Sequence, residues 1–223
     1  MPPMEQKRYP FSWEPGWSYS RMNTLRVCLR LYWYEYYAKR FAPAGESKKI
    51  LELKNLSKIP FELGNSVHGT IAEMLEDLQI NDCILDEEIA KQMAVQKFEI
   101  LVTSKPLIEK RLGIPFAPED REKAHEQIRT SIGTFYGSRW LSMLQDSEPE
   151  ARRKWLIDPP GFGEFRLDGK KAYAKPDLVF SHDGRNYLVE WKSGKPHREQ
   201  NLTQVQAYMF YAKDIMEIGR AHV

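Results

Sequence analysis

Cysteine is scarce: Cys28 and Cys83 are the only two in 223 residues, and no metal-ligand spacing relates them. This argues against a secreted, disulfide-stapled scaffold and favours a reducing compartment, so the cytoplasm is the expected location. No run of about 18 apolar residues occurs, and no transmembrane helix is expected. The N-terminal "MPPMEQKRYPFSW" lacks the apolar stretch of a signal peptide. The net charge of +2 is too small to require a nucleic-acid partner. There is no internal repeat and no low-complexity tract.

What is present is ordinary for a soluble globular chain: 42% hydrophobic and 29% charged residues, enough for one domain with a real core. The charge is unevenly placed. Arg21, Arg26, Arg30, Lys39, Arg40, Lys48 and Lys49, with Lys7 and Arg8, outnumber the acids of the first fifty residues. That face is either simply solvated or faces phosphates.

Residues 1–17 read as an irregular arm. Ser18 or Ser20 is a candidate cap for a helix running to about Arg40, with Leu25, Cys28, Leu29, Tyr32 and Tyr36 on one apolar face. Residues 50–63 read as loop, with Pro60 a breaker. A helix is expected from Asn65 or Ser66, with Val67, Ile71, Met74, Leu75 and Leu78 as its stripe. Helical segments follow at 86–111, broken near Pro106, and after Pro118. Beyond residue 150 the texture changes to short strands separated by Gly, Pro and Asp, with Asp183-Gly184 as a hairpin turn. Helical period returns after His197. The reading is a helical N-terminal part, a small, mostly antiparallel sheet, and a helix packed on it.

The last strands carry unusual charges. In "KPDLVFSHDGRNYLVEWKSGK", Glu190 and Lys192 share one strand face, while Val189 and Trp191 share the other. The hairpin brings Asp177 back towards Glu190. One reading is an inter-strand salt bridge on a solvated face. The other is a site in which two carboxylates hold a hard cation such as Mg²⁺ and Lys192 stabilises charge on a phosphate.

Four ordered motifs favour the second reading. Pro176-Asp177 with Glu190-Trp191-Lys192 resembles the defining motif of the PD-(D/E)XK nuclease superfamily. Gln204 and Tyr208 in "QVQAY" resemble the Q-x-x-x-Y helix of its RecB-like branch, and Gly64 to His68 in "GNSVH" resembles the G-x-x-x-H helix start. "SYSRMNTLRVCLRLYWYEYY" is similar to the opening S-x-S-x-x-x-x-x-x-x-C-P-R-x-Y-x-x-x-Y segment, with Leu29 in place of its proline. The resemblance spans roughly residues 18–212. Without it, His68 would read as a capping or core histidine, and Gln204 and Tyr208 as ordinary helix residues.

The resemblance implies an α/β, restriction-endonuclease-like fold: a single domain over 1–216, with a mainly helical part at 18–150 and a central mixed sheet with the Q-x-x-x-Y helix at 151–216. It implies a metal-dependent deoxyribonuclease using Mg²⁺ or Mn²⁺. His68, Asp177, Glu190 and the backbone carbonyl of Trp191 would be metal ligands; Asp177, Glu190 and Lys192 would be catalytic; Gln204 and Tyr208 would support the site or contact DNA. The expected partner is DNA, single-stranded or with free ends, along with a helicase or other DNA-processing protein. Trp33, Tyr34 and Tyr37 are either core residues or platforms for unpaired bases. Some RecB-like nucleases hold an iron–sulfur cluster; Cys28 occupies the position of its first cysteine but is expected to be a buried packing residue. The alternatives are a non-catalytic nucleic-acid-binding module with the same fold, and an enzyme acting on another phosphate ester. Exo- or endonucleolytic action and a role in repair, recombination, phage biology or CRISPR adaptation stay open. Residues 217–223, "EIGRAHV", match an in-frame translation of a common sequencing adapter, so the natural chain is expected to continue past Met216.

Overall fold

The computed structural model describes residues 9–10, 12–159, 163–194 and 198–215. It is a mixed α/β, mostly helical fold with two small sheets. β1 (Trp17–Ser18) leads into α1 (Tyr19–Val27), whose cap is Ser18: its hydroxyl accepts the Arg21 N–H. The expected single helix to Arg40 does not form. Cys28 is extended (φ −164°, ψ 117°) and separates α1 from α2 (Leu29–Trp33). The chain then widens into a π-helical turn over Tyr34–Ala38 before α3 (Lys39–Phe41). The apolar face read into this segment is largely outside the core: Leu25, Cys28 and Leu29 are exposed.

Residues 50–63 are also not a loop. α4 spans Ala44–Lys54, and α5 runs from Ile59 to Asn81. Pro60 opens α5 rather than breaking a helix, because the first turn needs no N–H from it. α6 (Glu87–Ser104) stops just before Pro106, followed by α7 (Ile108–Arg111), α8 (Pro118–Tyr136), α9 (Arg139–Gln145) and α10 (Pro149–Arg152). β2 (Leu156–Ile157), β3 (Glu164–Leu167), β4 (Lys170–Tyr173), β5 (Leu178–His182) and β6 (Arg185–Val189) precede α11 (Arg198–Ile215). The suspected adapter tail, like Lys7 and Arg8, lies outside the described residues. No described helix is long and apolar enough to cross a membrane.

The strands form two sheets rather than one central one. β1–β4–β3 is mixed, with β1 parallel to β4, and β2–β5–β6 is antiparallel. Each has its own core. The α5 stripe of Val67, Ile71, Met74, Leu75 and Leu78 is buried as its spacing predicts, against Ala90, Ala94 and Phe98 of α6 and Ile128, Ile132 and Phe135 of α8. The same cluster takes in Leu178, Phe180 and Val189, so the helical layer covers the β2–β5–β6 sheet. The second core seats Ala207, Tyr208, Tyr211 and Ile215 of α11 on Phe165 and Ala172 of the other sheet. Gly163 marks a point where only glycine fits. Its φ is +58°, and an added Cβ would stand 1.7 Å from the Ala174 carbonyl oxygen.

Candidate active site

The β5–β6 hairpin turns through Asp183 and Gly184, both with positive φ (49° and 71°), the backbone of a two-residue hairpin turn. This sets the register, with Leu178 opposite Val189. Asp177 and Glu190 therefore lie side by side just past the last ladder pair. The Asp177 N–H donates to the Val189 carbonyl (3.1 Å), and the Trp191 N–H donates to Asp177 Oδ2 (2.7 Å). The alternation holds as read. Val189 is buried, and the Trp191 ring meets Phe135 edge-on with 5.3 Å between centroids. Glu190 and Lys192 take the other side.

α11 meets them there. Gln204 and Tyr208, four residues apart, project from one helix face. Lys192 Nζ donates to Glu190 Oε1 (2.6 Å) and to Gln204 Oε1 (2.9 Å). Gln204 Nε2 donates to Glu190 Oε1 (2.8 Å) and to the Tyr208 hydroxyl (2.7 Å), which donates in turn to Glu190 Oε2 (2.5 Å). Burial, and then the charge of Glu190, push the Tyr208 phenol far above its usual range, so it stays protonated and a donor.

His68 comes from α5, which starts earlier than expected, so the histidine sits well inside the helix rather than near its start. Its Nδ1 is 3.4 Å from Asp177 Oδ1. Burial disfavours the imidazolium, but the hydrogen bond to Asp177 and the charges of Asp177 and Glu190 outweigh it and raise the His68 pKa. One residue that sequence reasoning missed holds the segment after Lys192: Gln127 of α8 donates to the Ser193 carbonyl (2.9 Å). A glutamine mid-helix carries no signal of such a role. Gly64, the glycine of the G-x-x-x-H motif, lies against the same segment, with Ser193 Oγ 3.4 Å from where a Cβ would be. A groove of about 830 Å³ runs from Glu190 and Lys192 along β6 to Trp140.

The donor chemistry suits a hard divalent cation: the carboxylate oxygens of Asp177 and Glu190 and the imidazole nitrogen of His68. His68 and Asp177 stand together. Glu190 lies beside them, with both oxygens engaged by Lys192, Gln204 and Tyr208. Among the described residues no three His, Cys, Asp or Glu side chains form a preassembled metal cluster. Cys28 is not the buried packing residue expected; its Sγ accepts the Leu31 N–H at 3.5 Å, capping α2. Trp33 and Tyr34 are exposed and meet edge-on, while Tyr37 is half-buried.

A family profile described as the PD-(D/E)XK nuclease superfamily matches residues 16–221. The chain belongs to the PD-(D/E)XK nuclease superfamily. Its members are nucleases that typically use a divalent metal, which implies a nucleic-acid substrate here. No curated protein and no solved structure matches the chain. The superfamily match takes in β1, the serine-capped α1 and all the residues of the site.

Proposed function

We propose that this chain is a RecB-like, metal-dependent DNA nuclease that hydrolyses phosphodiester bonds through a metal-activated water. The observation that carries the reading is the closed network of Glu190, Lys192, Gln204 and Tyr208, which joins two sequence motifs in one set of hydrogen bonds. A simple salt bridge on a solvated face would need only Glu190 and Lys192. The helix adds a neutral amide and a protonated phenol that fix the orientation of both charged groups.

The metal, Mg²⁺ or Mn²⁺, would be held by His68, Asp177, Glu190 and the carbonyl of Trp191. When bound, it supplies a polarised phosphoryl oxygen and a water of lowered pKa. The chain's own groups do the rest. The Trp191 N–H fixes the Asp177 carboxylate. The Lys192 ammonium orients the attacking water and balances charge that grows on the phosphate. Gln204 holds that ammonium at a set position, and Tyr208 keeps Glu190 from rotating. The preference for DNA, a strand with free ends as substrate, a helicase partner, a cytoplasmic location and a single domain over 1–216 belong to the same reading. No iron–sulfur cluster enters it.

The test is cleavage of labelled single- and double-stranded DNA with Mg²⁺, Mn²⁺ or EDTA, beside Lys192→Ala. Cutting that needs metal and is lost in the variant supports the nuclease, and the product ladder separates exo- from endonucleolytic action. DNA binding without cutting would instead favour a non-catalytic binding module. Hydrolysis of small phosphodiesters but not DNA would favour another phosphate ester.

A further inference from the structure

The S-x-S segment and the arginine after it play no part in the network above, yet they border it. A second cavity, about 480 Å³, is lined by Ser18, Ser20, Arg21 and Tyr36 on one side and by Gln204 and Tyr208 on the other. Its volume falls within the range of ligand sites, roughly 300–1,000 Å³. Two members of the proposed catalytic network thus form one of its walls.

Arg21 is the notable group on the opposite wall. Its guanidinium lies over the Tyr36 ring, 4.4 Å from the centroid, and donates to the hydroxyls of Tyr37 (3.1 Å) and Tyr32 (3.3 Å). Its Nε is buried without a hydrogen-bond partner. Among the described residues no carboxylate pairs with it; its partners are the tyrosine hydroxyls and rings. The three tyrosines are placed by the backbone. In an α-helix, residues five apart point about 140° away from each other. The wider winding over Tyr34–Ala38 reduces that angle and lets Tyr37 join Tyr32 around the same guanidinium. A half-buried cation held by neutral rings, lining the same cavity as two serine hydroxyls, suits a phosphate.

We propose that Arg21, with Ser18 and Ser20, binds an internucleotide phosphate of the strand being cut, next to the scissile one, across the cavity that Arg21 shares with Gln204 and Tyr208. This rests on the nuclease reading but can fail separately from it. The subsite would position the strand and leave the chemistry to Lys192 and its neighbours.

The test uses the full chain and a fluorescein-labelled single-stranded oligonucleotide in EDTA, so that no cutting occurs, with affinity read by anisotropy across a KCl series. Arg21→Gln should weaken binding and lower the slope of log K against log salt by about 0.7, the value for one single-strand phosphate contact. Arg21→Lys should restore most of that slope. Ser20→Glu, at an exposed position, should weaken binding without touching the tyrosine cluster. With metal present, Arg21→Gln should raise KM for the oligonucleotide several-fold more than it lowers kcat, and its loss on bis(p-nitrophenyl) phosphate, which has one phosphate, should be several-fold smaller. An unchanged slope in Arg21→Gln, equal losses on both substrates, or no oligonucleotide binding by the parent chain would overturn the subsite. So would displacement of the oligonucleotide by inorganic phosphate at ionic strengths where KCl has no effect, because that marks a free-phosphate site. Failure to cut in metal, with the slope change intact, would remove the nuclease reading and leave the phosphate subsite standing.

Discussion

The ammonium of Lys192 stands 2.6 Å from Glu190 Oε1, although the two residues are only two apart on the chain and sit past the end of β6. Gln204 holds the pair from a separate element. Deleting Lys192 therefore removes a charge from an arrangement that keeps its other members. The Lys192 side chain is 42% exposed, so Lys192→Ala should leave the melting temperature close to that of the parent chain. Cleavage should fall by at least about 100-fold, the usual scale for losing one group that stabilises transition-state charge. Circular dichroism melts beside initial cleavage rates check both halves. Normal cutting by the variant would remove the mechanism.

Tyr208 makes a different prediction, because it is buried in the second core as well as bonded to Glu190. Tyr208→Phe keeps the ring and deletes the donor. A partly buried carboxylate that loses a donor costs about 1 kcal/mol, visible as a lower urea midpoint with unchanged m. Gln204→Ala should cost less alone. Because both residues act on Glu190, the double variant should differ from the sum of the singles by at least about 0.5 kcal/mol. Strict additivity would show that the network does not act as a unit.

What the sequence made legible depends on whether local pattern or distant pairing decides. The α5 stripe was readable because Val67, Ile71, Met74, Leu75 and Leu78 repeat at helical spacing and nothing else competes for them. The β5–β6 hairpin was readable from Asp183-Gly184, and with it the adjacency of Asp177 and Glu190. The split into two sheets was not. Trp17–Ser18 is a two-residue strand inside an arm rich in Pro and Trp, and its partner β4 is more than 150 residues away in sequence; no periodicity encodes such a pairing. The hidden start of α5 has a local cause: a proline marks either a break or a first turn, and only packing decides which. Motif order placed Gln204 and Tyr208 in the site, but composition gave Arg21 no more weight than its basic neighbours.

Glu62 gives a pH prediction. It is fully buried near the start of α5, where Lys105, Ser57 and Asn65 all donate to its carboxylate. Burial pushes its pKa up, but these donors outweigh burial and hold it below the ordinary 4.5. A depressed native value means that the unfolded chain binds the proton more readily. The contribution is therefore complete above about pH 4.5 and is lost as pH falls through the lowered native value. Glu62→Gln should destabilise the chain at neutral pH, and the gap between the two proteins should narrow on acidification below pH 4.5. Urea unfolding at a series of pH values measures the gap; a gap that widens in acid would reverse the sign.

His68 and Asp177 are the two expected metal ligands already side by side. Asp177→Asn and His68→Ala should each weaken Mn²⁺ binding by about 10-fold or more, read by calorimetry in the absence of DNA. Gln127→Ala, which releases only the Ser193 carbonyl, should leave Mn²⁺ affinity within about twofold. Equal affinity in all three variants would place the metal elsewhere.

Leu29 stands where the resembling motif has proline, and the backbone shows what that proline would do. Cys28 is extended, the conformation favoured before proline. Leu29 is the first residue of α2, where a missing N–H costs nothing, and its side chain is 74% exposed. A proline here would forbid the continuous helix that the apolar spacing of Leu25 and Tyr32 suggests. Leu29→Pro should therefore be tolerated and should stabilise the chain by about 0.4–1 kcal/mol, by restricting the unfolded state. The same change at Tyr32, whose N–H donates to the Cys28 carbonyl at 2.9 Å, should cost about 3 kcal/mol or more. Thermal melts of the two variants separate the cases. A large loss from Leu29→Pro would mean that α1 and α2 are one helix in solution, and the tyrosine arrangement around Arg21 would fall with the break.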